Sequence, residues 1–236
     1  MNGEKNIVRN TIIKDENMGY RNDKGEIVIS VEQMRRSDAY TIEHYTPGRE
    51  LMYRAAKGVY DSYQEWDGKS IAIAVGGGNN GGDGYALAGI LKKNAYDSVI
   101  YKVSDRMSDD GRYYFDIAAE LGVPVIDFGE TTDLDSYDVI VDCILGTGFK
   151  GEVRGRAREA IKEINNSHAY VISVDINSGM NGDTGEAEFA VKSDLTVSIG
   201  YYKQGLFRGQ AGEYIGHLTN VDIGIKLIDE SGEESQ

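Results

Sequence analysis

A doubly wound α/β domain, its mostly parallel sheet covered by helices on both faces and preceded by two N-terminal helices, is the fold class this sequence predicts. Three observations lead there. From Ser70 onward, short β-branched runs alternate with helical segments, the pattern of parallel strands joined by crossover helices. Glycine-rich strings follow several of those runs, where such folds place their ligand loops. The 236 residues, 40% hydrophobic and 27% charged, are ordinary for one globular unit with a small N-terminal appendage.

Residues 1–28 mix charge, Asn and Gly without a sustained period and read as an arm, flexible or weakly paired at a sheet edge. Ser30 and Gln33 have capping-box spacing, and Val31, Met34, Ala39 and Ile42 suggest a first helix to about Tyr45. Thr46 and Pro47 read as N-cap and first residue of a second helix, whose Leu51, Met52, Ala55, Ala56, Val59, Tyr60 and Tyr63 make one buried stripe. The expected strands are Ile71–Val75, Ser98–Val103, Val123–Phe128, Val139–Leu145, Tyr170–Val174 and Leu195–Ile199. The helices between them are Asp83–Lys93, Asp109–Leu121 and Gly155–Asn166, with one or two further strands in Tyr214–Ile223. The α/β domain is therefore expected over residues 29–228, with a polar, frayed tail at 229–236.

Charge and composition exclude several classes. A net charge of −14 disfavours a phosphate backbone as a general partner, so nucleic acid is not expected. No apolar run approaches the roughly 18 residues of a membrane helix, and the polar opening MNGEKNIVRN is no signal peptide, so neither membrane nor export is expected and cytoplasm is the default. The single Cys143 cannot form an intrachain disulfide or a cysteine-cluster metal site. His44, His168 and His217 are scattered and suggest no histidine-based site.

Three strand-end loops carry the chemical signal. The first, GGGNNGGDG at 76–84, lets backbone amides approach an anionic ligand ahead of a helix N-terminus, and its Asn79, Asn80 and Asp83 add oxygen acceptors suited to a nucleotide or a hard cation. In the second, Asp142 lies inside the apolar end of a strand, ahead of Gly146-Thr147-Gly148. It reads either as a buried carboxylate satisfied by backbone amides or as a cation ligand, while Lys150 and Arg154 add positive charge. In the third, Asp175 follows another apolar strand, with Ser178 three residues on. It either caps a turn or acts on a ligand, by gripping a ribose hydroxyl or as general acid and base.

Together the strings GGGNNGGDG (76–84), VDCILGTGFKGEVRG (141–155) and VDINSGMNGDTG (174–185) resemble the YjeF N-terminal domain family, whose characterised members are NAD(P)H-hydrate epimerases with a Rossmann-like fold. The resemblance spans roughly Val31 to Ile223. It implies an isomerase that interconverts the R and S epimers of hydrated NADH or NADPH. It further implies substrate contacts from Asn79, Asn80, Gly81, Gly82, Asp83, Gly146, Thr147, Gly148, Phe149, Lys150, Gly151, Glu152 and Asp175, and a K⁺ site of Asn80, Asp142 and Ser178 completed by backbone carbonyls. Asp175 is the catalytic candidate. A homodimer is implied, as is a separate dehydratase partner, because relatives carry that activity in a fused C-terminal domain and this chain stops before one. Two departures stand out: Asn177 replaces the usual proline, and Tyr53-Arg54-Ala55-Ala56-Lys57-Gly58 replaces a Glu-Asn-Ala-Gly run. Rival readings are a catalytically silent binding or scaffold protein of the same fold, and an NAD-linked dehydrogenase with Asp105 on the ribose.

Overall fold

The computed structural model describes residues 12–15, 19–229 and 232–234. Of the expected arm, residues 1–11 and 16–18 lie outside the described residues, as do 230, 231, 235 and 236 of the tail. Three short strands come first: β1 (Ile13–Asp15), β2 (Gly19–Arg21) and β3 (Ile27–Ile29). Helices α1 (Val31–His44) and α2 (Gly48–Ser62) follow, then β4 (Ile71–Val75), α3 (Asn79–Lys93), β5 (Ser98–Lys102), α4 (Asp109–Glu120) and β6 (Val125–Asp127). The chain continues through β7 (Val139–Cys143), α5 (Gly155–Asn166), β8 (Tyr170–Val174), β9 (Ser193–Ile199) and β10 (Tyr202–Lys203). A 3₁₀ turn (Gln204–Phe207), the single turn α6 (Ala211–Tyr214) and β11 (Ile215–Val221) complete it.

Seven strands form one all-parallel sheet in the order β11-β9-β8-β7-β4-β5-β6, the doubly wound order extended by one strand. Alternating residues of the central strands face two different layers, as the two-residue strand period demands. Ile71, Ile73, Val75, Val139 and Val141 pack with α2, α3 and α4 on one face. Ala72, Ala74 and Ile140 pack with Ala160, Ile161 and Ile164 of α5 on the other. A second, small sheet of order β1-β2-β3-β10 is tied to the large one because β10 follows directly on β9.

Several predicted boundaries move for local reasons. Strand β7 ends at Cys143 rather than Leu145, because the amides of Ile144 and Leu145 turn to Asp142 Oδ1 (3.2 Å) and Ser178 Oγ (2.7 Å). Strand β6 starts late, since the Val123 amide closes the end of α4 on Ala118 O (3.0 Å). The Tyr214–Ile223 segment makes one strand, with Tyr214 closing α6. Pro47, not Thr46, is the N-cap of α2; the Thr46 amide is already bonded to Thr41 O. Ser30 does cap α1 by accepting from the Gln33 amide (3.1 Å), but the Gln33 side chain reaches Ile228 O instead of reciprocating. The residues α1 buries are Ser37 and Thr41, whose hydroxyls accept from the amides of Ile228 and Lys226, while Ala39 is exposed. The tail turns back where it is described: Ile228 bridges Glu234, and the Tyr45 hydroxyl donates to Glu234 Oε2 (2.7 Å).

Candidate functional site

Strand order reverses between β4 and β7, and the loops leaving those two strands meet above the reversal. The Gly76 amide donates to Cys143 O (3.0 Å), and a Cβ on Gly76 would stand 1.8 Å from Ile144 O, so only glycine permits this backbone contact. The first loop is shorter than predicted, because α3 begins at Asn79 and Asn79–Asp83 form its first turns. Glycine costs roughly 1 kcal/mol within a helix, which is why composition points to a later start. Here the two glycines are needed for packing. A Cβ on Gly81 would meet Gly76 O at 2.1 Å, and one on Gly82 would meet Met52 and Gly111.

Beside this junction lies a cavity of about 530 Å³, within the size range of small-molecule sites. Its walls come from α1 and the start of α2, the first turns of α3, the loop after β7, Asp175 beyond β8, and Lys203 on β10. Asn79, Asn80, Asp83, Gly146, Thr147, Gly148, Phe149 and Asp175 line it. Gly81 and Gly82 are buried in helix packing instead, and Lys150, Gly151 and Glu152 are exposed outside the lining, with Glu152 salt-bridged to Arg154 (2.7 Å).

The Asp175 backbone is left-handed (φ 66°), an uncommon conformation for a residue with a side chain. It aims the carboxylate at the buried ammonium of Lys203, which also donates to Ile199 O (2.6 Å). The Ile199 amide adds a weaker contact to Asp175 Oδ1 (3.3 Å). Two more carboxyls share the cavity, Asp38 from α1 and Asp83 from α3. Burial pushes the Asp83 carboxyl well above the usual carboxylate range, helped by the negative charges of Asp175 and Asp38 and opposed by Lys203. Burial, and then Asp175, raises Asp38 in the same direction. Asp38 and Lys203 are absent from the predicted site. Lys203 follows an apolar strand among Gly200, Tyr201 and Tyr202, and a cation there is the signal that could have found it. For Asp38 the signal is a carboxylate seven residues after Val31 and four before Ile42.

Asp142 and Ser178 sit together beneath the cavity, both fully buried. Asp142 accepts from the Ser178 hydroxyl and amide, the Ser173 hydroxyl and the Ile144 amide. Burial still raises its carboxyl above the ordinary range against these four bonds. Every donor is neutral, so when ionised Asp142 keeps its whole negative charge. Asn80 reaches this knot through Leu145, donating from Nδ2 to Leu145 O (3.1 Å), and its Oδ1 is buried without a hydrogen-bond partner. Among the described residues, no three His, Cys, Asp or Glu side chains gather as a metal site. Asn177, where proline was expected, instead fixes the third loop with its amide: Nδ2 donates to Val191 O, Ser193 Oγ and Tyr214 O, and Oδ1 accepts from Thr196.

Fold and cavity together define a Rossmann-like α/β protein with a cavity beside its topological switch point. The chain belongs to the family described as YjeF-related protein N-terminus, whose model matches residues 48–205. It is 38% identical over 206 residues to an NAD(P)H-hydrate epimerase of Oenococcus oeni, covering 84% of this chain and 97% of that one. An NAD(P)H-hydrate epimerase of Limosilactobacillus fermentum is 35% identical over 203 residues, with the same coverage of 84% and 97%. The bifunctional NAD(P)H-hydrate repair enzyme Nnr of Archaeoglobus fulgidus is 37% identical over 177 residues, covering 74% of this chain but 37% of that longer protein. Among solved structures, yeast ynu0 superposes with a TM-score of 0.70 at 22% identity, covering 88% of this chain and 94% of that one, a likeness of fold.

Proposed function

We propose that this protein is an NAD(P)H-hydrate epimerase, an isomerase of nicotinamide nucleotide repair, and that Asp175 is its principal proton-transfer group. The observation that carries the reading is the convergence of the three strand-end loops on one cavity, the third through Asp175, which lines it against a buried lysine. Relatives covered nearly end to end bear the same activity in their names. Interconverting the epimers requires losing and regaining a hydroxyl at ring carbon 6. The ring nitrogen supplies the electronic push, so the protein must orient the dinucleotide and handle protons. Asn79, Asn80, Asp83 and the Gly146–Phe149 turn are the orienting groups in this reading. Lys203 holds the Asp175 carboxylate toward the cavity.

A potassium ion belongs to the proposal. The orphaned Asn80 Oδ1, the carbonyl of Leu145, the Ser178 hydroxyl and a buried carboxylate bonded by neutral donors alone form an oxygen-only donor set with one negative charge, which fits a hard monovalent cation. When bound, the ion would supply positive potential at the cavity. We further place the protein in the cytoplasm as a homodimer, acting beside a separate hydrate dehydratase. The joined activities in the name of the Archaeoglobus relative favour that link. No helix among the described residues is long and apolar enough to cross a membrane.

The test is to mix the purified protein with one separated hydrate epimer and follow the other by chromatography. Conversion should run well ahead of the buffer control. A rate equal to buffer would transfer the protein to the scaffold reading.

A further inference from the structure

Epimerisation asks for proton handling on both sides of the reacting ring, because the hydroxyl leaves one face of carbon 6 and returns on the other. Asp83 and Asp175 both belong to the sheet wall of the cavity, one in the first turns of α3 and one beyond β8. A separate wall is α1, whose Val31, Met34, Arg35, Asp38 and Ile42 line the cavity at helical spacing. Helix α1 is fixed there: Ser30 caps it, and Asp183 of the third loop accepts from the Val31 amide (2.7 Å).

Asp38 stands in the middle of this lining, between Met34 and Ile42. Arg35, the basic residue that α1 adds to this lining, is engaged in an ion pair with Glu32 (2.7 Å). Among the described residues no donor bonds to the half-buried Asp38 carboxyl, which opens onto the cavity. The charged groups sharing its cavity are Arg35, Asp83, Asp110, Asp175 and Lys203. Asp110 is taken by Arg49 (3.2 Å), and Lys203 by Asp175.

We infer that Asp38 is a second acid–base residue, working from the α1 wall while Asp175 works from the sheet wall. This rests on the epimerase reading. In one direction the Asp38 carboxyl gives its proton to the hydroxyl on carbon 6, the C–O bond breaks to release water, and the ring-nitrogen lone pair forms the iminium π bond. Water then adds to carbon 6 from the other face, the π electrons return to nitrogen, and the Asp175 carboxylate takes the proton. One proton has passed from Asp38 to Asp175, and exchange with water restores it. The opposite epimer follows the same steps in reverse. Burial and the neighbouring Asp175 charge keep the Asp38 carboxyl protonated to higher pH than an ordinary aspartate, as an acid in this position needs.

The test measures dinucleotide affinity and saturated turnover of wild type, Asp38→Asn and Asp38→Ala with a single separated epimer, the last also in added formate. Turnover of both variants should fall by about 10²–10⁴ with affinity within about threefold, and formate should restore part of it to Asp38→Ala by standing in for the lost carboxyl. If wild type converts the epimer and Asp38→Asn keeps pace with it, the inference is overturned. It is overturned equally if lost turnover tracks lost affinity and formate gives no relief. Failure of wild type itself to outrun buffer would instead remove the epimerase reading.

Discussion

Two strands of the sheet carry an aspartate at or just past their carboxyl ends, and the two aspartates live in opposite surroundings. Asp142 at the end of β7 is fully buried and takes four hydrogen bonds, all from neutral hydroxyls and amides. Asp175, one residue past β8, is held in a left-handed backbone, opens onto the cavity and meets the Lys203 ammonium. Neutral donors fix geometry and leave the charge in place, which suits a foundation that keeps loops in register and, in the proposal above, would hold a cation. A charged partner and an open face suit proton exchange with a ligand. An identical sequence signature thus supports two roles, and the donors around each carboxylate decide which.

The largest effect expected from this contrast is catalytic. Asp175→Asn keeps the side chain's size but removes its proton-accepting function, so saturated turnover should fall by about 10²–10⁴ with dinucleotide affinity nearly unchanged. Weakened affinity with preserved turnover would make Asp175 a ribose ligand. Next comes Lys203→Met, which strands the Asp175 carboxylate beside an apolar chain. Its unfolding free energy should drop by about 3 kcal/mol in denaturant titrations, near the lower end for a broken buried pair because Asp175 can reach cavity water. A loss below about 1 kcal/mol would mean that the pair is not what holds Asp175.

A smaller effect belongs to the third loop. Installing the family's usual proline, Asn177→Pro, removes an amide that bonds Val191, Ser193, Tyr214 and Thr196, and should cost about 2 kcal/mol in the same titration. A stabilised variant would show that backbone stiffness outweighs the network.

The smallest effect is a pH-dependent gain. Burial raises the Asp83 carboxyl in the folded protein, so the folded state holds its proton more tightly than the unfolded chain, which titrates near 3.8. Asp83 therefore favours folding least at high pH. Its contribution falls as pH climbs from about 3.8 through the raised folded value. Asp83→Asn should melt a few degrees above wild type at about pH 7, and the gap should close toward about pH 4. An unchanged gap across that range would place Asp83 in ordinary solvent.

How much of this was legible in the sequence follows the physics of each segment. The parallel strands and α5 stand out because buried runs such as Ile71–Val75 have one composition whatever they pack against. The three loops stand out because glycine, asparagine and aspartate cluster where strands end. The start of α3 does not, because its glycines are chosen for contact with Gly76 and Met52, against helix propensity. The small N-terminal sheet is also hidden, since β1, β2 and β3 are three residues each, too short to show a period, and the fourth strand, β10, joins β3 from some 170 residues later. Asp38 and Lys203 leave only faint local signals, a carboxylate on the Val31–Ile42 stripe and a lysine after an apolar strand, and neither signal says that the residue reaches the cavity.

The division of labour between the two aspartates is tested most directly by titrating potassium against dinucleotide binding in wild type, Asp142→Asn and Asp175→Asn, with a large organic cation holding ionic strength constant. The account predicts that wild type and Asp175→Asn share one potassium dependence and that Asp142→Asn loses it. Potassium dependence that survives Asp142→Asn, or disappears with Asp175→Asn, would contradict it.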